Sequence, residues 1–555
     1  MACITPTSAP PMSPISRFLC LPFLALAFSA LAAGSDQLPA RPPEPTVFQP
    51  TWQSLEGGYQ CPEWFRDAKF GIWAHWGPQT QPEQGDWYAR RMYVEGEPQH
   101  DFHLAHYGHP SQFGFKDVLR QWKAERFDPD QLLAFYKQSG ARYFMALANH
   151  HDNFDNFNST FQLWNSVNLG PKKDLIGLWA AAARKHGLRF GVSVHASRAW
   201  SWYEPARGAD LAGPLAGVPY DGRLTKGDGK GQWWDGLDPQ ELYAQDHAAK
   251  APPSPAYVEK FFQRTRQLID DYRPDLVYFD DGVLPMRKHA EAAGLELVAH
   301  YYNQSQRWHG RNDAVVNSKS LDEAQRRALV YDIERGKAEA ILPEPWQTDT
   351  CIGEWHYKRE IFEKHQYKTA AVVIPMLVEI VSRNGNLMLS VPVRADGTID
   401  EDEIATLRGV GDWLAVNGDA IYATRPWKIY GEGPSTTEKP EANRFGGAKD
   451  VRTKAYTSED IRFTQSKDGS VLYAIALAAP TGRELAIKSF ARGTRSGAAL
   501  LDREVAEVTL VGSQGLLKWM HDGTALRVEL PGTLPTSGAF SIRVLLRDAD
   551  RDAQR

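Results

Sequence analysis

Imidazole and carboxylate side chains in this sequence collect at the ends of short apolar runs. The run 143–148 is mostly apolar without alternation, as in a strand buried on both faces. It leads directly into His150, His151 and Asp152. His75 lies at the end of run 70–76, His195 closes run 188–195, and Asp280 closes run 276–280 with Asp281 behind it. Asp332, Glu334 and Arg335 stand at the end of run 328–333. Groups of these types hold a metal, carry a proton or hydrogen-bond to sugar hydroxyls. One such residue at a strand end is more often a structural hydrogen bonder. Five strand ends carrying them together point to a site. As metal ligands the set would be His150, His151 and His195 with Asp280. Adjacent side chains on an extended strand diverge, which argues against one shared ion, so no metal or other cofactor is expected.

Bringing five strand ends to one place requires a parallel barrel. Eight strand-like runs are present, at 70–76, 143–148, 188–195, 276–280, 295–302, 328–333, 346–352 and 387–393. Helical patterns lie between several of them, most clearly at 129–139, 174–186, 256–272 and 369–382. This alternation predicts an α/β chain with a (β/α)8-like TIM barrel, whose chemistry sits at the carboxyl ends of the strands. Two loops are long, 77–127 and 197–255. The second carries Trp200, Trp202, Tyr203, Tyr220, Trp233 and Trp234, either as a substrate wall or as packing. Beyond Trp427 short strands separated by Gly, Pro, Asp and Ser predict a small antiparallel β-sandwich. The expected division is an export signal over 1–32, an arm over 33–51, the barrel over 52–428 and the sandwich over 429–555.

The chain has 555 residues, 42% of them hydrophobic, enough for large cores. A formal net charge of −5 gives no electrostatic case for nucleic acid. Arg17, an apolar stretch over 18–28 and Ala30-Leu31-Ala32 read as a cleavable signal, too short to span a bilayer as a mature helix. A periplasmic or secreted protein is expected, with no membrane association after cleavage. Removing the signal leaves Cys61 and Cys351, too few for a multi-cysteine metal site.

Several ordered motifs resemble the retaining exo-α-L-fucosidases of glycoside hydrolase family 29. They are Phe-Gly-Ile-Trp-Ala-His75-Trp-Gly, Asp86-Trp-Tyr, Gly140-Ala-Arg-Tyr-Phe through His150-His-Asp-Asn-Phe, Pro171-Lys-Lys-Asp174-Leu, Gly187-Leu-Arg-Phe-Gly191 and Pro274-Asp-Leu-Val-Tyr-Phe-Asp280. Val381-Ser-Arg-Asn384-Gly-Asn386-Leu-Met-Leu and Gly411-Asp-Trp-Leu-Ala-Val-Asn-Gly418-Asp-Ala-Ile-Tyr422 follow late in the barrel. The resemblance spans roughly residues 52 to 430 and implies a fucosylated oligosaccharide or glycan as substrate.

It also implies roles. Asp280 matches the family's nucleophile. His75, His150 and His151 match imidazoles that bind sugar hydroxyls. Asp86 stands where most relatives have Glu, with Trp87 and Tyr88 after it, and Tyr278 replaces the usual Trp beside the nucleophile. His195 has no counterpart in the pattern and either contacts substrate or caps its strand. Gln347 occupies the segment where many members carry the acid/base Glu, and an amide cannot donate and retrieve a proton. The expected acid/base is therefore Glu334, with Glu354 and Asp349 as alternatives. Gln347 also keeps open a catalytically impaired fucose-binding protein.

Overall fold

Runs rich in Val, Ile, Leu and aromatic residues form β1 (Phe70–Ala74), β2 (Tyr143–Asn149), β3 (Arg189–Val194), β4 (Leu276–Gly282), β5 (Val315–Lys319), β6 (Val330–Asp332), β7 (Gly336–Lys337), β8 (Trp346–Cys351) and β9 (Gly385–Ser390). All but the two-residue β7 close into a parallel barrel, with β9 paired back onto β1. The computed structural model describes residues 47–245, 247–444, 446–493 and 500–547. The expected export signal lies outside the described residues, as does most of the expected arm.

Alternation along the strands separates two cores. Trp73, Tyr143, Met145, Tyr278, Val315, Val330 and Met388 fill the barrel interior. Ile72, Phe144, Val277, Val316 and Leu387 face outward into the layer shared with the helices. The helices have local reasons to start where they do. Asp128 accepts from the Gln131 amide ahead of Pro129–Gln138, and Asp174 from the Gly177 amide ahead of Leu175–Lys185. Ser254 caps Pro255–Tyr272, which opens on proline.

The fifth strand departs from expectation. Residues 295–302 are helical, part of Arg287–His309, which is interrupted at Ala290 and closed by Gly310 at φ 73°. That helix buries Leu297, Val298, Tyr301, Tyr302 and Ser305, a helical spacing that a short apolar run conceals. The strand is Val315–Lys319 instead, with only two apolar residues among its five.

The long loops are largely ordered. Tyr93 of the first donates to Asp221 of the second at 2.6 Å, and Trp233 donates to Asp117 at 2.7 Å. Tyr203, Tyr220 and Trp234 are buried in the main core. These aromatics fasten the loops together rather than face an opening.

The C-terminal region forms two antiparallel sheets around one core. The larger contains β10 (Arg425–Glu432), β12 (Ile461–Gln465), β13 (Val471–Ala476), β15 (Val505–Leu510) and β18 (Phe540–Leu546). The smaller contains β14 (Glu484–Ile487), β16 (Trp519–His521) and β17 (Leu526–Glu529). A further strand, β11 (Ala448–Lys449), leaves these sheets and pairs with β7 of the barrel region. Because β10 opens at Arg425, the sheet begins slightly before residue 429. Arg462 and Glu379 form a fully buried ion pair of 2.6 Å between sheet and barrel. Cys61 and Cys351 are both free thiols. Among the described residues no helix is long and apolar enough to cross a membrane.

Candidate active site

The barrel strands deliver their last side chains to one mouth. Asp280, at the end of β4, accepts from Lys319 Nζ at 2.5 Å and from His195 Nδ1 at 3.0 Å, with His151 Nε2 3.7 Å away. Three nitrogens therefore face one carboxylate. Burial alone would raise its pKa. Lys319 foremost, then His195 and His151, hold it well below the ordinary carboxylate range.

Glu334 lies just past β6, and one of its oxygens is also 2.5 Å from Lys319 Nζ. Two oxygens each 2.5 Å from one nitrogen can be no more than about 5 Å apart, so the nearest oxygens of the two carboxyl groups approach on the scale of a retaining pair, whose groups stand about 5–5.5 Å apart. Burial pushes the Glu334 carboxyl up to about 7; Lys319 opposes this, and the charges of Asp349 and Asp280 reinforce it. The two carboxyl groups thus differ in protonation at one place, one held ionised and the other able to keep its proton near neutrality. Asp281 is engaged elsewhere. It turns aside, accepts from Ser197 Oγ, and is raised to about 7 by burial.

Four buried imidazoles stand ring to ring, one of them, His195, reaching the Asp280 carboxylate. His75 lies 5.0 Å from His150, 5.2 Å from His195 and 4.7 Å from His356 between centroids. Several ring nitrogens of this group, and of His151 beside it, are fixed. Gln79 Nε2 meets His150 Nδ1 at 2.8 Å, His151 Nδ1 donates to the His195 carbonyl at 2.7 Å, and His356 Nδ1 donates to Asp86 at 2.7 Å. Both nitrogens of His75 and the Nε2 atoms of His195 and His356 are buried without a partner. Leaving such groups unmade is costly, so they call for a polar ligand. Burial, aided by the neighbouring imidazoles, drives His75 and His150 well below their usual pKa, and His151 to about 4. They stay neutral near pH 7, each with a donor or acceptor for a hydroxyl.

Trp87, 36% exposed, packs edge-on to His151 and to Trp202. Trp202 is the member of the aromatic-rich loop that reaches the mouth, where its ring also lies 5.7 Å from His151.

Other expected residues lie elsewhere. Tyr88 is buried away from the cluster, its hydroxyl 2.8 Å from His103 Nδ1. Tyr278 is a floor beneath the mouth, donating to Asp349 at 3.0 Å with Lys319 above its ring. Asp349 is thereby engaged one layer down. Gln347 lies at the same depth, donating to Asp332 and accepting from Tyr143. Its amide does not vacate a position beside Asp280. Glu354 is half-buried on the loop after β8, where its charge acts on Arg335.

Three participants were not anticipated. Lys319 escaped because the fifth strand was placed elsewhere. Trp355 and His356 follow β8, and Trp355 covers Trp73 and His75 at 5.6 Å each. An aromatic-histidine pair just past a strand end is the same signal that His75 and His150 gave.

By proximity two groups could hold a cation. The donor atoms of His75, Asp86, His150 and His356 lie within 4.8 Å of one another, as do those of His150, His151 and His195. A closed barrel whose mouth brings together one ionised carboxylate and one carboxyl able to keep its proton, beside buried imidazoles, is the arrangement of a glycoside hydrolase.

Comparison with known proteins narrows the class. Residues 38–419 match the alpha-L-fucosidase family, and residues 454–544 match the alpha-L-fucosidase C-terminal domain. The chain belongs to the α-L-fucosidase family. It is 26% identical to the human tissue alpha-L-fucosidase over 94% of this chain and 97% of that protein. With the human plasma alpha-L-fucosidase it shares 27% over 88% of this chain and 89% of that protein. The Thermotoga maritima alpha-fucosidase, solved in complex with fucose, superposes with a TM-score of 0.64 at 25% identity, covering 90% of this chain and all of that one.

Proposed function

We propose that this α-L-fucosidase removes terminal α-L-fucosyl residues from oligosaccharides with retention, Asp280 acting as nucleophile and Glu334 as acid/base. The observation that carries this reading is the shared contact with Lys319, which brings one oxygen of each carboxyl within about 5 Å of the other, a closeness that supports a double displacement. In the first step an Asp280 oxygen attacks the anomeric carbon as the bond to the leaving oxygen breaks, and Glu334 gives that oxygen its proton. The product is a glycosyl ester on Asp280. In the second step Glu334 takes a proton from water, the water oxygen attacks the same carbon, and Asp280 departs as a carboxylate.

The depressed pKa of Asp280 keeps the attacking group ionised, and the raised pKa of Glu334 suits it to give and retrieve a proton. His75 and His150 offer neutral nitrogens to the fucose hydroxyls, His195 and His356 each present a buried Nε2 beside them, and that a related protein was solved with fucose supports this use. Export to the periplasm or medium is part of the proposal, supported by the signal-like sequence over 1–32.

The test is Glu334→Ala assayed on paired substrates. Loss should be severe with a sugar leaving group and small with an activated aryl fucoside, and azide should restore turnover of the aryl substrate. Equal losses on both, with no rescue, would move the acid/base role to Glu354 or Asp349.

A further inference from the structure

Glu334 is not carried by a regular strand. β6 ends at Asp332, and two residues after Glu334 the chain enters β7. Between them Arg335 takes φ 48°, a left-handed conformation that non-glycine residues rarely adopt. Such a conformation persists only when its surroundings hold it. Part of the restraint comes from within the barrel, where the Arg335 amide donates to the Asp349 carbonyl at 2.8 Å.

The rest comes from the segment between β10 and β12. Asn443 Nδ2 donates to the carbonyl of Glu334 itself at 2.7 Å. The Asp450 amide donates to the Arg335 carbonyl at 3.3 Å, and β11 pairs with β7 in the register Ala448 to Lys337 and Lys449 to Gly336. Asp450 is tied back to the barrel through Thr350 at 2.6 Å. The approach is close enough to require glycine on both sides. A Cβ on Gly336 would lie 2.3 Å from Asn443 Nδ2, and one on Gly447, which has φ 63°, would lie 2.4 Å from the Lys337 carbonyl. Residues 420–453 fall between the two segments matched to the fucosidase family, so neither match covers the side of the clamp that carries Asn443, Gly447 and Asp450.

We propose that Asn443 is a positioning residue for the acid/base: by holding the Glu334 carbonyl, this segment from the C-terminal region sets where the Glu334 carboxyl stands relative to Asp280. The inference rests on the reading of Glu334 as acid/base. It follows physically from the short lever involved. The carbonyl and the carboxyl belong to one residue, and the carboxyl must stay near Lys319 to lie within reach of the leaving oxygen. An error of about 1 Å in such a group can cost on the order of 100-fold.

The experiment compares Asn443→Asp, Asn443→Ala and Glu334→Ala in the full chain, on a fucosyl oligosaccharide and an activated aryl fucoside. Asn443→Asp keeps size and shape but replaces the donor with an oxygen that faces a carbonyl. Both Asn443 variants should lose about 10-fold or more in kcat/KM on the oligosaccharide and less than about 2-fold on the aryl fucoside. Glu334→Ala should show the same selectivity more strongly. Equal losses on both substrates for the Asn443 variants, or a lowered Tm with no change in kcat/KM, would overturn the proposal. If Glu334→Ala shows the split and the Asn443 variants do not, the positioning role alone fails. If Glu334→Ala itself shows no split, the assignment of Glu334 fails and the proposal falls with it.

Discussion

On the side of the mouth built by β1 and β2, His75 and His150 are buried among other imidazoles, and burial drives both far below their ordinary pKa. On the side built by β4, β5 and β6, Asp280 and Glu334 are also taken out of water, but around a single cation, Lys319. Burial and the neighbouring imidazoles outweigh the charge of Asp280 at His75 and likewise lower His150, and being neutral suits both to uncharged hydroxyls. Loss of water with one cation between two acids leaves one ionised and the other able to hold a proton. Desolvation acts on both sides, and what it produces depends on how strongly a charge opposes it.

Removing the proposed nucleophile breaks this contrast most severely. Asp280→Ala should lower kcat/KM by roughly four to six orders of magnitude on every fucoside, measured by steady-state kinetics on purified protein with unchanged circular dichroism. Next is Glu334→Gln, expected to cost about 10²–10⁴-fold on substrates with poor leaving groups. The same variant has a pH signature. Glu334 must be protonated to act as acid and is raised to about 7, so wild-type kcat/KM should fall as pH rises through that value. The Gln variant should lose this alkaline limb, which a pH–rate profile will read directly.

Lys319→Met removes the cation that separates the two acids. Both carboxyl pKa values should then rise, moving the acid and alkaline limbs of the profile together to higher pH, whereas Lys319→Arg should keep them near their original positions. On the histidine side, His150→Ala should cost about 10–100-fold, as expected for a lost hydrogen-bonding group in a buried site. The smallest expected change is none: prolonged chelation should leave activity intact. Loss on chelation with recovery on adding zinc would turn His150, His151 and His195 into metal ligands and remove the contrast.

Much of this arrangement was legible in the sequence because barrel strands are buried on both faces and end in the site. The runs before His75, His150, His195 and Asp280 are such strands, and their terminal residues do meet. The fifth strand was not legible. Leu295 to Tyr302 is apolar enough to pass for a strand, while Val315–Lys319 carries Asn, Ser and Lys and reads as polar chain. Misplacing it hid Lys319, the group that ties the carboxylates together. Tyr88 shows the opposite error, since its position beside Trp87 suggested substrate contact while its hydroxyl goes to His103. Asn443 could not be read at all, because its role depends on a pairing between β7 and β11 across more than a hundred residues.

The most direct test of the account is to trap the first intermediate. Incubating the enzyme with 2-deoxy-2-fluoro-α-L-fucosyl fluoride slows breakdown of the glycosyl ester enough to locate it by peptide mass spectrometry. The account predicts one fluorofucosyl group per chain, on Asp280. A label on Asp281, Glu334 or any other residue, or inactivation without a covalent adduct, would contradict it.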